Sequence, residues 1–171
     1  MKELKLTGGQ IALVDDDVYA LVSGFKWYHS QLYPMSFPRI RLHNIVYLYS
    51  TCPSKLKKLL KNANKYFIDI HSRPPVGYVI DHINGNPLDN RAVNLRLCTI
   101  RENHLNSRIS ITNTTGFKGV SKRKNRYVAQ ITSMGRRVYL GMYKLPEEAA
   151  KAYNQAAIRH FGEFARLNDV K

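Results

Sequence analysis

Residues 78–103 read YVIDHINGNPLDNRAVNLRLCTIREN, and the fold of the chain is decided by how this stretch is read. Tyr78-Val79-Ile80 predicts a short strand ending in Asp81-His82. Asn84-Gly85-Asn86-Pro87 and Asp89-Asn90 make a loop of turn-forming residues without apolar periodicity. Asn94-Leu95-Arg96-Leu97-Cys98 predicts a second strand, and Thr99 with Glu102 three positions on is a capping box, so a helix begins there with Asn103 in its first turn. Strand, loop, strand and helix in this order return the end of the first strand to the start of the helix. Asp81, His82 and Asn103 can then converge on one small volume.

The residue types at that point suit metal-assisted phosphodiester hydrolysis. Asp and Asn offer hard oxygens of the kind Mg²⁺ accepts while keeping several of its waters. A neighbouring His, with an unperturbed pKa of about 6.5, is matched to taking a proton from water near neutral pH. Adjacent strand residues point to opposite faces, so Asp81 and His82 serve one site only if the strand ends or twists there.

Upstream, Pro74, Pro75 and Gly77 punctuate the start of this unit. Leu4 and Leu6 alternate before a Thr7-Gly8-Gly9-Gln10 turn, and Ile11 and Leu13 after it, predicting a β-hairpin over residues 2–14. A helix follows from Asp15 to Asp17 onward, with Val18, Leu21 and Val22 on one face and Gly24 as its stop; Phe25, Trp27 and Tyr28 are candidate core aromatics. Residues 39–49 read as a strand, or as a strand running into a short helix. Pro53 and Ser54 introduce a helix whose Leu56, Leu59, Leu60 and Ala63 share a face; Lys55, Lys57, Lys58, Lys61 and Lys65 form a solvated face or a phosphate contact.

Downstream, residues 117–122, 127–134 and 137–143 predict three strands, the last two joined by a turn at Gly135, and residues 146–157 a helix opened by Pro146. Tyr127, Ala129 and Ile131 point one way, while Arg126, Val128, Gln130 and Thr132 point the other. The alanines of this helix let it lie close against the apolar sheet face, which leaves the basic face uncovered.

The 171 residues fit one domain or two small ones, and a net charge of +15 points to a polyanion, nucleic acid first and an anionic membrane second. Residues 1–72 hold 10 basic and 5 acidic side chains, 73–110 hold 5 and 3, and 111–171 hold 12 and 4, so the excess sits at both ends. With 44% hydrophobic residues the chain can build packed cores, and no apolar run reaches the roughly 18 residues of a membrane span. Cys52 and Cys98 form no C-x-x-C pair, which disfavours a zinc ribbon or a disulfide scaffold. A protein that works in the cytoplasm, without a membrane or a small-molecule cofactor, is expected.

The run from Val79 to Thr99, with Asp81-His82, Asp89-Asn90-Arg91, Asn94-Leu95-Arg96 and Asn103 beyond it, resembles the HNH endonuclease motif of phage homing endonucleases over about 30 residues. The resemblance implies a ββα-metal site: Asp81 and Asn103 as metal ligands, His82 as general base for the attacking water, and Asn94 holding the His-bearing loop. Asn103 stands where many relatives have a final His, an H-N-N variant that favours Mg²⁺ or Mn²⁺ over Zn²⁺. Leu42-His43-Asn44 is the nearest match to an upstream L-H-R element of the family, and Ile70-His71-Ser72 is its rival.

A second resemblance covers residues 115–168. Gly116-Phe117-Lys118-Gly119-Val120, Tyr127-Val128-Ala129-Gln130-Ile131, Tyr139-Leu140-Gly141-Met142-Tyr143 and the following helix are similar to the Apetala-type domain of plant ethylene-response factors. That family lays its sheet in the DNA major groove, which implies Lys118, Arg123, Arg126, Gln130, Arg137 and Tyr139 as DNA contacts. Ser121 and Thr132 replace arginines of the plant pattern and Tyr139 a tryptophan, so the plant target sequence does not transfer.

The expectation is an α+β protein: an N-terminal module at 1–72, a ββα-metal nuclease motif at 73–110, and at 111–171 a three-stranded antiparallel sheet packed on one helix. It is expected to cut double-stranded DNA with one divalent cation, as a monomer or weak dimer. A non-catalytic, sequence-specific DNA-binding regulator is the alternative.

Overall fold

Leu4 and Leu6 alternate with exposed residues on the first arm of the hairpin, but on the second Ala12 and Val14 face inward rather than the expected Ile11 and Leu13, because the strand register places them on the apolar face. In the computed structural model, which describes residues 1–30, 33–36, 40–54, 56 and 74–170, β1 (Lys2–Lys5) pairs antiparallel with β2 (Ile11–Val14), Lys5 opposite Ile11. Gly8 and Gly9, at φ 108° and 89°, supply the left-handed backbone of the turn. Helix α1 (Asp16–Val22) carries Asp16 and Asp17 in its first turn, where carboxylates favour the positive end of the helix dipole. Strands β3 (Trp27–Ser30), β4 (Tyr33–Ser36) and β5 (Ile40–Arg41) form an antiparallel sheet in sequence order. Of the two readings of residues 39–49 the second holds, since β5 runs straight into helix α2 (Leu42–Thr51).

These elements enclose one core. Leu4, Val14, Val18, Trp27, Leu42, Val46 and Leu56 are buried together, and the indole N–H of Trp27 donates to the Val22 carbonyl at 2.9 Å. At about 25 cal/mol per Å² of apolar surface, burying each such side chain stabilises this core by roughly 1.5–3 kcal/mol before entropy is counted. The lysines expected on a helix at 54–65, and His71, lie outside the described residues.

Strands β6 (Tyr78–His82) and β7 (Leu95–Thr99) form a two-stranded antiparallel sheet with Asp81 opposite Arg96 and His82 opposite Leu95. A single 3-10 turn, Ala92–Asn94, leads into β7, and helix α3 (Ile100–Leu105) follows it directly. The chain divides into two compact units, Met1–Ile100 and Arg101–Lys171.

In the second unit, β8 (Val120–Arg123), β9 (Arg126–Ser133) and β10 (Arg136–Tyr143) make an antiparallel sheet with β9 in the middle. Its first strand starts at Val120 rather than Phe117, because Gly119 sits at φ 74° and cannot continue an extended strand. Met134 and Gly135, at φ 51° and 74°, form the tight β9–β10 turn, and a register shift between Tyr139 and Gly141 bulges β10. Helix α4 (Pro146–Phe161) opens with Glu148 accepting the Leu145 N–H at 3.3 Å and runs four residues past Ala157. Its Ala149, Ala150, Ala156 and Ala157 are buried with Tyr153 against Ala129 and Ile131, which confirms the helix-facing side of the sheet. No helix among the described residues is long and apolar enough to cross a membrane.

Candidate active site

The loop between β6 and β7 has no apolar core of its own, so its shape comes from asparagine and aspartate side chains bonding backbone groups. Asn94 accepts the Asn84 N–H on Oδ1 at 3.0 Å and donates through Nδ2 to Asn84 Oδ1 at 3.0 Å and to the Asp89 carbonyl at 2.8 Å. Asn84 donates to Asp89 Oδ2 at 2.9 Å, and Arg91 grips both Asp89 oxygens at 2.7 Å. The Arg91 guanidinium beside Asp89 holds its carboxyl below the usual range.

This loop is also held from outside. The Leu13 N–H donates to the Leu88 carbonyl and the Asn90 N–H to the Leu13 carbonyl, both at 2.8 Å, while Asp15 Oδ2 accepts the Ala92 N–H at 2.7 Å. Leu88, Ala92 and Leu95 pack against the core of the first unit. Asp15 was read from sequence only as a helix start, and no local pattern marks a partner that lies 77 residues away.

His82 is buried in a ring cluster. Tyr33 stacks on it at 5.9 Å and 16°, and His43 meets it edge-on at 5.3 Å and 88°. Asn90 donates its amide N–H to the Pro87 carbonyl, which turns its Oδ1 toward His82 Nε2 at 3.3 Å. With Nε2 donating, the basic lone pair of the neutral imidazole is on Nδ1. Burial pushes the His82 pKa below its ordinary value, against the Asn90 hydrogen bond and the Asp81 and Asp89 carboxylates, which raise it. The ring is therefore neutral at pH 7, as a proton acceptor must be.

His43 is the upstream histidine that the structure brings to this cluster. It is 3% exposed, and burial, followed by repulsion from His82 and Arg41, takes its pKa down to about 3.

Asp81 and His82 are the last two residues of β6, so the strand ends on this pair as read. Loop closure begins one residue later, where Ile83 donates to the Asn94 carbonyl at 2.9 Å. Alternation then separates the two side chains. His82 meets the rings, while Asp81 faces its cross-strand partner Arg96, which donates from Nε at 3.0 Å and Nη2 at 2.8 Å to Oδ2. Both side chains of this ion pair are nearly buried, and the sequence reading passed over Arg96 because only strand register sets it opposite Asp81.

Asn103 stands on α3, half-buried, among residues counted with the second unit. Among the described residues no three His, Cys, Asp or Glu side chains gather to cage a metal. Carboxylate and asparagine-amide oxygens are hard donors of the kind that suit a cation keeping most of its waters, such as Mg²⁺ or Mn²⁺.

On the sheet of the second unit, Arg123 pairs with Arg126, Gln130 with Tyr139 and Thr132 with Arg137, so register puts Arg123, Arg126, Gln130, Arg137 and Tyr139 on the face away from α4. Tyr139 is 63% exposed. Lys118 is different: it is half-buried and its ammonium donates to the carbonyls of Leu105 at 2.6 Å and Ser107 at 2.9 Å. Its assignment to DNA from the plant pattern meets a side chain already engaged within the protein.

A family model described as HNH endonuclease matches residues 72–105. The chain is 30% identical over 165 residues to an uncharacterized HNH endonuclease of Acanthamoeba polyphaga mimivirus, an alignment covering 95% of this chain and 76% of that protein. It is also 39% identical over 95 residues to Protein 3.8 of Escherichia phage T7, covering 54% of this chain and 78% of that one. A short stretch of 51 residues is 45% identical to an AP2/ERF and B3 domain-containing transcription factor of Arabidopsis thaliana, spanning 29% of this chain and 14% of that protein.

Proposed function

The chain belongs to the HNH endonuclease family, enzymes that cut DNA, and from that premise we propose that it is a metal-dependent endonuclease of homing type with His82 as its general base. The observation that carries this reading is the buried His82, whose pKa burial lowers and whose Nε2 meets Asn90 Oδ1 at 3.3 Å; in this reading Asn90 accepts from Nε2 and Nδ1 takes the proton. In this reading His82 takes the proton from the attacking water. Asn94 keeps the loop after β6 closed, so that the imidazole stays at the strand end. Asp81, its plane set by Arg96, and Asn103 hold a divalent cation, Mg²⁺ or Mn²⁺. When bound, that ion supplies Lewis-acid stabilisation of charge on the phosphate and leaving oxygen. Because Asp81 and His82 point to opposite faces of β6, the scissile phosphate lies across the end of the strand, within reach of both.

The three-part division into 1–72, 73–110 and 111–171 belongs to the same proposal. It is supported by the family match at 72–105 and by the short likeness to an Apetala-type protein. The third part docks double-stranded DNA through Arg123, Arg126, Gln130, Arg137 and Tyr139, and the second cuts it. The protein works in the cytoplasm as a monomer or weak dimer.

Incubating the purified protein with plasmid and phage DNA in Mg²⁺, with and without EDTA, tests the reading. Cleavage is expected in Mg²⁺ only, and Asp81→Ala or Asn103→Ala is expected to abolish it, since a site with so few protein ligands cannot lose one. Undiminished cutting in EDTA, or by either variant, overturns the metal assignment.

A further inference from the structure

Lys118, in the second unit, lies outside the proposed DNA-binding face. Its backbone is immobilised: the Lys118 N–H donates to Asn168 Oδ1 at 2.6 Å and its carbonyl accepts from Asn168 Nδ2 at 3.0 Å. Asn168 is in turn tied to Asn154 of α4 by two bonds, of 2.8 and 2.9 Å. The next residue, Gly119, is fixed as well, because a Cβ there would lie 2.0 Å from the Tyr153 ring. From this anchor the side chain reaches back 13 residues to the Leu105 carbonyl and 11 to that of Ser107.

Leu105 is the last residue of α3, and the final carbonyls of a helix lack partners of their own and carry the negative end of its dipole. An ammonium donating to them caps the helix. Two of its three N–H groups are used, and burial, with Arg166 nearby, pushes the Lys118 pKa down to about 8, the mark of a group withdrawn from water rather than offered to a phosphate. Asn103 lies two positions before the capped carbonyl.

We propose that Lys118 is a positioning residue: a strut that bolts the end of the Asn103-bearing helix to the DNA-docking sheet, so that Asn103 is held at a constant spacing from the bases read. The proposal rests on the nuclease reading given above. It departs from the role that the plant-type pattern implies, in which this position touches DNA.

The test compares the full-length protein with Lys118→Ala and Lys118→Arg in three measurements: DNA affinity against salt, end-mapping of cleaved DNA, and amide hydrogen exchange. For a strut, Lys118→Ala leaves affinity and salt slope unchanged, spreads cleavage from one phosphate over its neighbours, and lowers the rate at the main position by about 10-fold to 10²-fold, the cost of a small misplacement. Lys118→Arg, which still carries donors, restores the single position. Exchange at residues 101–107 speeds up about tenfold in Lys118→Ala while residues 126–143 stay protected, as expected for local release of one segment. A salt slope shallower by about 0.9 with cleavage still confined to one phosphate makes Lys118 a phosphate contact and overturns the strut. Unchanged exchange at 101–107 overturns it as well. If the wild-type protein cuts no DNA, the nuclease reading fails, and the exchange measurement alone then decides whether the strut exists.

Discussion

At the scale of single residues, burial lowers the pKa of two histidines, His82 and His43. His82→Ala removes the proposed proton acceptor and is expected to slow cleavage by roughly 10²- to 10⁴-fold, the range of lost acid–base catalysis, with DNA binding unchanged. Parallel loss of binding and cleavage in a gel-shift and a nicking assay would instead make His82 structural. His43 has a different consequence. It stays neutral in the folded protein down to a pH of about 3 and takes a proton near 6.5 once unfolded, so between those values the unfolded chain binds more protons. Stability is therefore lost as pH falls below 6.5, at about 1.4 kcal/mol per pH unit for this one group. His43→Phe keeps a ring beside Tyr33 and His82 without the proton, and urea unfolding from pH 6 to pH 4 is expected to show a slope shallower by that amount. Identical slopes in the two proteins would remove His43 as the source.

At the scale of elements, what was legible in the sequence was whatever repeats locally. The hairpin within 2–14, the strand–loop–strand–helix order of 78–105 and the order of three strands and a helix after residue 117 are all present, because alternation of two and the spacing of alanines are set by neighbours in the chain. The first of those three strands starts three residues later, and the helix ends four residues later, than read. The rest depends on residues brought together from far apart. Neither the pairing of Asp81 with Arg96 nor the turn of Lys118 toward Leu105 has a local signature. The Asp15 carboxylate on the Ala92 N–H is the same kind of contact, joining α1 to the 3-10 turn before β7. Asp15→Ala leaves that amide without its charged acceptor and is expected to cost about 1–3 kcal/mol in urea unfolding, with the denaturant slope unchanged. Cleavage falls with it, because the loop that Asn94 closes loses its outer support. A variant as stable as wild type would show that the Asp15 carboxylate does not hold the loop.

At the scale of the whole molecule, cutting and docking are expected to separate. Residues 111–171 carry 12 basic and 4 acidic side chains, and each phosphate neutralised contributes about 0.9 to the fall of log K with log salt. Deleting these residues is expected to flatten the salt dependence and weaken binding, while slow cutting of concentrated DNA survives. Unchanged affinity and slope would show that the basic sheet is not the docking surface. The long reach from Leu13 and Asp15 to the loop at 88–92 also sets a clock during synthesis. A ribosome adding about 5–20 residues per second makes the N-terminal hairpin first and delivers its partner, 77 residues on, roughly 4 to 15 seconds later. Until that closure the nascent chain has no locked loop around His82, so the proposed cutting cannot begin before the loop at 88–92 has been made.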